Sequence, residues 1–153
     1  MRKTIALDAN LLVLLVVGLA EPRYIQVHKR LKAFTFDDFK LLTKMIAASA
    51  GMAVTPNALS EASNLLRQIN EPAKSRIGMA LRRLIQNTNE IYVASVDASS
   101  RREFLRIGLS DSALLEVNKN DIVVLSVDLS RCLAAQAAGY TVVNFNHLRE
   151  GLL

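Results

Sequence analysis

Asp121-Ile122-Val123-Val124-Leu125-Ser126-Val127 is the stretch that decides the fold. Its apolar residues are nearly continuous and rich in β-branched side chains, the pattern of a strand buried on both faces of a parallel sheet. The run then gives way to Ser126-Val127-Asp128-Leu129-Ser130, where helix-starting chemistry takes over. Downstream, Leu129 to Ala138 reads as a helix stopped by Gly139, and Tyr140 to Phe145 as a last strand. Upstream, Glu90 to Ser95 reads as a β-rich strand. Ser99 to Ile107 and Ser110 to about Asn118 read as helices.

The N-terminal half repeats this alternation. Thr4 to Leu7 is a short apolar strand, followed by a largely buried helix from Asn10 to about Leu19 and a basic stretch from Arg23 to Lys32. Thr35-Phe36-Asp37-Asp38 supplies caps for a helix from about Asp37 to Ala50, which Gly51 ends before a strand over Met52 to Thr55. Thr55 as cap with Pro56 in the first turn opens a helix to about Asn70, and Glu71-Pro72 restarts another through about Gln86. Short apolar strands alternating with helices predict an α/β fold with a mostly parallel central sheet. At 153 residues, residues 1–153 read as a single domain.

Half of the residues are hydrophobic, which excludes a disordered chain. Aromatic content is 5% with no Trp, so base-stacking platforms are scarce. The one cysteine, Cys132, excludes an internal disulfide framework and a Cys-based zinc site, and reads as an inert thiol on a helix face. Arg2 and Lys3 before Leu11 to Ala20 imitate a signal peptide, but Asp8 and Asn10 interrupt it. The apolar run is too short to span a bilayer, so a cytoplasmic protein without a membrane segment is expected. The net charge of +5 suits a polyanionic partner held around a small acidic centre. The apolar content also allows a homo-oligomer, with no residues singled out for its interface.

Four acids in four segments form that candidate centre: Asp8, Glu61, Asp111 and Asp128. Asp8, Asp111 and Asp128 stand at or just before helix starts, where each alone is explained as a cap contributing about 0.5–2 kcal/mol. Glu61 sits early in the Pro56 helix, about 100° from the centre of the stripe formed by Leu59, Ala62, Leu66 and Ile69. Its carboxylate is therefore expected along the edge of the packed face, near the strand ends. Carboxylates gathered at the carboxyl ends of parallel strands make an oxygen cage for hard divalent cations.

Leu7-Asp8-Ala9-Asn10, Thr55-Pro56 followed by Glu61, Asp111 opening a helix, and Ser126-Val127-Asp128 after a central strand carry a resemblance. In order, spacing and setting, the chain resembles the PIN domain family of metal-dependent ribonucleases over nearly its full length. The resemblance implies a three-layer fold, with helices on both faces of the sheet and the four acids at one end. It implies Asp8, Glu61, Asp111 and Asp128 as catalytic metal ligands for Mg²⁺ or Mn²⁺, with Asn10 and Ser126 as supporting polar residues. The activity implied is cleavage of RNA by a metal-activated water, leaving a 5′-phosphate and a 3′-hydroxyl. Stand-alone members of this kind are often toxins of toxin–antitoxin pairs, which implies an antitoxin partner.

Basic residues cluster as Arg23, His28, Lys29, Arg30 and Lys32; as Lys74, Arg76, Arg82 and Arg83; and as Arg101, Arg102 and Arg106. Each reads alone as a solvated helix face. Arg23, Lys29, Arg30 and Lys32 are the expected grip on an RNA backbone, since they lie between the two N-terminal site elements. His28 and His147 are isolated, without a Ser or Cys partner recognisable by spacing. No Gly-rich phosphate loop is present. Two other readings compete: a non-catalytic PIN-fold module that binds RNA or protein, and a small response-regulator-like domain. The latter would want paired acids after the first strand and a functional Lys near the last, and neither is evident.

Overall fold

The computed structural model describes residues 2–117, 121–128 and 141–151. Among them, five strands form one all-parallel sheet: β1 (Thr4–Leu7), β2 (Gly51–Val54), β3 (Asn89–Glu90), β4 (Ile122–Ser126) and β5 (Val142–Asn144). Their order is β3-β2-β1-β4-β5, so β1 lies in the middle with Ile5 in register with Met52 on one side and Val123 on the other. The chain lays down β2 and β3 outward from β1, then returns to place β4 and β5 on the opposite flank. That reversal creates a switch point between β1 and β4, where open parallel sheets form ligand crevices outside the strands' carboxyl ends.

Helices cover both faces: α1 (Ala9–Ala20), α2 (Tyr24–Val27), α3 (Phe36–Ala48), α4 (Pro56–Leu66), α5 (Ala73–Asn87), α6 (Ser95–Ser99), α7 (Phe104–Val117) and α8 (Phe145–Arg149). Strand alternation assigns the layers. Ile5, Leu7, Val54 and Leu125 join a large core with α1, α3, α4 and α5, whereas Ala6, Val124 and Val142 join a smaller one with Leu114, Leu115 and Val117 of α7. Helix α1 is apolar all round because α2, α3, α4 and α5 all pack against it. The α/β architecture with a parallel sheet between helical layers is therefore as expected.

Local chemistry sets the element ends. Thr35 and Asp38 form a reciprocal capping box on α3, with Thr35 N donating to Asp38 Oδ2 at 2.8 Å and Asp38 N to Thr35 Oγ1 at 3.3 Å. Thr55 Oγ1 accepts from Ala58 N at 3.2 Å to open α4, with Pro56 in its first turn. Both helices are shorter than the sequence suggests, α3 ending at Ala48 and α4 at Leu66.

Three segments differ more. The strand expected over Glu90 to Ser95 is only Asn89–Glu90. After Ile91 N donates to Val54 O at 2.8 Å the chain leaves the sheet, and Ile91 and Val93 pack onto the smaller core instead. Of the helix expected over Ser99 to Ile107, only the part from Phe104 forms, as the start of α7, while α6 ends at Ser99 where that helix was expected to begin. Helix α7 runs on into the segment holding Asp111 and breaks at Gly108, whose φ of 84° is a backbone region that glycine enters without a Cβ penalty. Finally, β5 is followed at once by α8, which the sequence pattern did not indicate, with Asn144 Oδ1 accepting from Asn146 N at 2.9 Å. The helix expected over Leu129 to Ala138, with Cys132 and Gly139, lies outside the described residues. No described helix is long and apolar enough to cross a membrane.

Candidate functional site at the carboxyl edge of the sheet

Asp8 follows β1 directly and stands at the switch point. It is buried, and its carboxylate accepts from two backbone amides: Leu11 N to Oδ1 at 2.9 Å and Val127 N to Oδ2 at 3.0 Å. The first is the helix cap that the sequence suggests. The second joins residues 119 positions apart and ties the end of β1 to the turn after β4. Asp8 N also donates to Leu125 O at 3.1 Å, so backbone and side chain of one residue together bridge the switch point.

Asp128 lies on that same turn, half-buried. Its N–H donates to Ser126 Oγ at 3.1 Å, and Val127 O accepts from Asn146 Nδ2 at 3.0 Å. Ser126 is buried at the end of β4, where its hydroxyl accepts the Asp128 N–H. Asn10 is half-buried in the first turn of α1.

Asp111, three residues beyond the Gly108 break, has two neighbourhoods. With Ser126, Ile107, Leu114, Leu115, Val124 and Val142 it lines a cavity of about 20 Å³, room for about one water molecule. With Glu61, Pro56, Asn57, Ser60 and Ser110 it lines an open cleft of about 570 Å³. The cleft wall thus combines the first turns of α4 with the segment around Gly108. Glu61 is exposed there, while Ala58, Leu59, Ala62 and Leu66 of the same helix are buried, which places it beside the packed stripe as its spacing predicted.

The topology brings all four acids to one edge, but it does not gather them into one ligand shell. Among the described residues, no three His, Cys, Asp or Glu side chains stand close enough to share a metal ion. The acids meet in smaller groups: Asp8 with the turn bearing Asp128, Asp111 with Ser126, and Asp111 with Glu61 across the cleft. As chemistry, a set of carboxylate and hydroxyl oxygens fits a hard cation such as Mg²⁺ or Mn²⁺.

The basic stretch is more structured than its composition suggests. Lys29 and Lys32 are exposed, Arg23 pairs with Glu21 at 3.5 Å, and Arg30 Nε donates to Gln68 Oε1 at 2.7 Å. His28 is buried: Nδ1 accepts from Arg30 N at 3.2 Å, and Nε2 lies 3.2 Å from Leu66 O. Burial holds its pKa below the usual 6.5, and the Arg30 and Lys29 charges act in the same direction against the hydrogen bond to Leu66. A neutral ring donating from Nε2 satisfies both contacts. This residue is a latch between the basic stretch and the end of α4, the helix whose opposite end lines the acidic cleft. Arg101, from the third basic cluster, is similarly occupied, pairing with the buried Glu103 at 3.2 Å and with Glu116. Glu116 therefore faces away from Asp111, as its five-residue offset implies.

Asn146 and Arg149 are the polar residues nearest this architecture that sequence reasoning missed. An Asn in a short helix carries no periodic signal, and its partner lies 19 positions earlier. Comparison with family models, curated proteins and solved structures returns no match.

Proposed function

We propose that this chain is a metal-dependent endoribonuclease of the PIN type, with Asp8, Glu61, Asp111 and Asp128 holding Mg²⁺ or Mn²⁺ beside an RNA phosphate. The observation that carries the reading is Asp8: a buried carboxylate held by two amides at the switch point, with Asp128 on the adjoining turn. A divalent ion there would neutralise phosphate charge and lower the pKa of a bound water. The chain's own part is to hold the acids in place. Asp8 locks the edge between β1 and β4, Ser126 orients the Asp128 backbone, and Asp111 and Glu61 supply the walls of the cleft. The exposed Lys29 and Lys32, aided by Arg23 and Arg30, are the proposed phosphate contacts outside it. On this reading the protein works in the cytoplasm, and a toxin–antitoxin role would add a partner that covers the cleft.

The test is cleavage of a mixed tRNA and mRNA pool with Mg²⁺ or Mn²⁺ by wild type and Asp8→Asn. Metal-dependent cuts that disappear in the variant support the reading. An inactive wild type that still binds RNA refutes it.

One observation favours a second reading, a non-catalytic module that binds RNA or protein. Both Asp8 oxygens already accept backbone amides, and no three potential ligands converge among the described residues. A wild type whose melting temperature is unmoved by millimolar Mn²⁺ would favour the module.

A further inference from the structure

We propose that Asn146 is a positioning residue for the acidic edge, setting the direction of Asp128 and locking Asp8 to the β4 turn. The geometry concerns one peptide group, that between Val127 and Asp128. Its carbonyl accepts from Asn146 Nδ2 at 3.0 Å, and its N–H donates to Ser126 Oγ at 3.1 Å. A peptide plane held from both sides fixes ψ of Val127 and φ of Asp128, and with them the vector along which the Asp128 side chain leaves the backbone. The preceding N–H, that of Val127, donates to Asp8 Oδ2. One turn therefore orients one acid and anchors another.

Asn146 is itself held. Its N–H donates to Asn144 Oδ1 at 2.9 Å, and Arg149 Nη1 donates to its Oδ1 at 3.3 Å. The Arg149 contact leaves the amide only one sensible orientation, with Nδ2 toward Val127. Arg149 is clamped in turn: Nε and Nη2 reach Asp38 Oδ1 and Oδ2 at 3.1 and 2.7 Å, Nη2 also donates to Ala33 O, and the guanidinium lies 4.7 Å from the Phe34 ring centre. A continuous polar path thus runs from the first turn of α3 through α8 to the acids. A simple helix cap would need none of this, because Asn144 already caps α8.

The catalytic consequence rests on the proposed nuclease reading, whereas the positioning itself does not, and the experiment separates them. Asn146→Leu removes both side-chain hydrogen bonds while keeping the branching and heavy-atom count; Asn146→Asp keeps the Arg149 acceptor and removes only the donor to Val127. Amide hydrogen exchange is measured first, without metal. In both variants the Val127 and Asp128 amides should exchange about fivefold faster, as for one lost hydrogen bond, while Ile77 and Ala80 in α5 stay at wild-type rates and report an intact fold. Wild-type exchange at Val127 and Asp128 in Asn146→Asp overturns the proposal. Mn²⁺ titration and RNA cleavage follow. A tenfold weaker Mn²⁺ affinity and about tenfold lower kcat, with KM within about twofold, are expected of a residue that orients ligands. Altered exchange with wild-type Mn²⁺ affinity and kcat overturns the positioning role. A wild type that neither binds Mn²⁺ nor cleaves RNA defeats the nuclease reading alone, and the exchange result still decides the hydrogen-bond path.

Discussion

Gly18→Ala is the substitution whose outcome the packing dictates most sharply. Gly18 lies in the last turns of α1, and an added Cβ would come within 2.3 Å of Phe39 Cδ1 and Cε1 and 2.7 Å of Cγ. By helix propensity alone the change should stabilise by roughly 1 kcal/mol, since glycine is the poorer helix former. The contact opposes that. Phe39 is buried in the main core and stacks on Phe36 with ring centres 6.1 Å apart, so the ring cannot yield like the end of a flexible chain. Overpacking typically costs about 1–3 kcal/mol, and contacts this short put the cost at or above the upper end. The net expectation is a loss of about 2 kcal/mol, or about 4–8 °C in melting temperature for a domain of this size. Gly78→Ala is the internal control, because nothing lies within 4 Å of its added Cβ and it is exposed on α5. That change should stabilise by about 0.4–1 kcal/mol. Adding Phe39→Leu to Gly18→Ala should recover stability, with a coupling of about 1 kcal/mol or more in the double-mutant cycle. Thermal and urea unfolding followed by circular dichroism measure wild type, Gly18→Ala, Phe39→Leu, their double variant and the Gly78→Ala control. A Gly18→Ala protein as stable as wild type, beside a Gly78→Ala control that gains, would refute the packing of α1 on α3.

Other outcomes follow from the same contacts. Arg149→Met leaves Asp38 without its bidentate partner. Because the two side chains keep 19% and 11% exposure, the expected loss is about 2 kcal/mol, below the roughly 3–5 kcal/mol of a fully buried pair, and urea unfolding measures it. His28 is held neutral in the fold, so the unfolded chain takes up a proton first as pH falls below 6.5. Stability should therefore decline from pH 7 to pH 5.5 more steeply in wild type than in His28→Gln, and equal slopes in pH-dependent melts would count against the latch. On the metal reading, Mn²⁺ at a hundred times its dissociation constant should stabilise wild type by about 2.7 kcal/mol, raising its melting temperature by about 5–11 °C. The Asp8→Asn, Asp111→Asn double variant should barely respond.

The architecture was legible where chemistry is local. Thr55-Pro56 and Thr35 to Asp38 announce their helices because capping is decided within four residues, and the apolar runs of β1 and β4 admit few alternatives. Reading failed where long-range packing overrides propensity. Ile91 and Val93 have strand-forming side chains, yet the smaller core takes them once the ladder to β2 ends. The candidate site divides the same way. Asp8 as a cap could be read from Asp8-Ala9-Asn10-Leu11, but its bond to Val127 depends on sheet order, which no local pattern encodes. The position of Glu61 off the buried stripe is readable because helical spacing is local, whereas the neighbouring wall around Gly108 exists only once α7 has broken.

The strand order has a consequence for synthesis. Everything from β1 to β3, with α1 to α5 and most of the larger core, precedes residue 91, so that half can begin to assemble while the chain is still being made. During that interval β1 has one neighbour, and its other edge waits for β4. Asp8 receives the Val127 amide only after more than a hundred further residues have been added. The acidic edge is thus completed only once β4 has been made, and nascent chains that stop short of β4 carry Asp8 on an unfinished, pairing-prone strand.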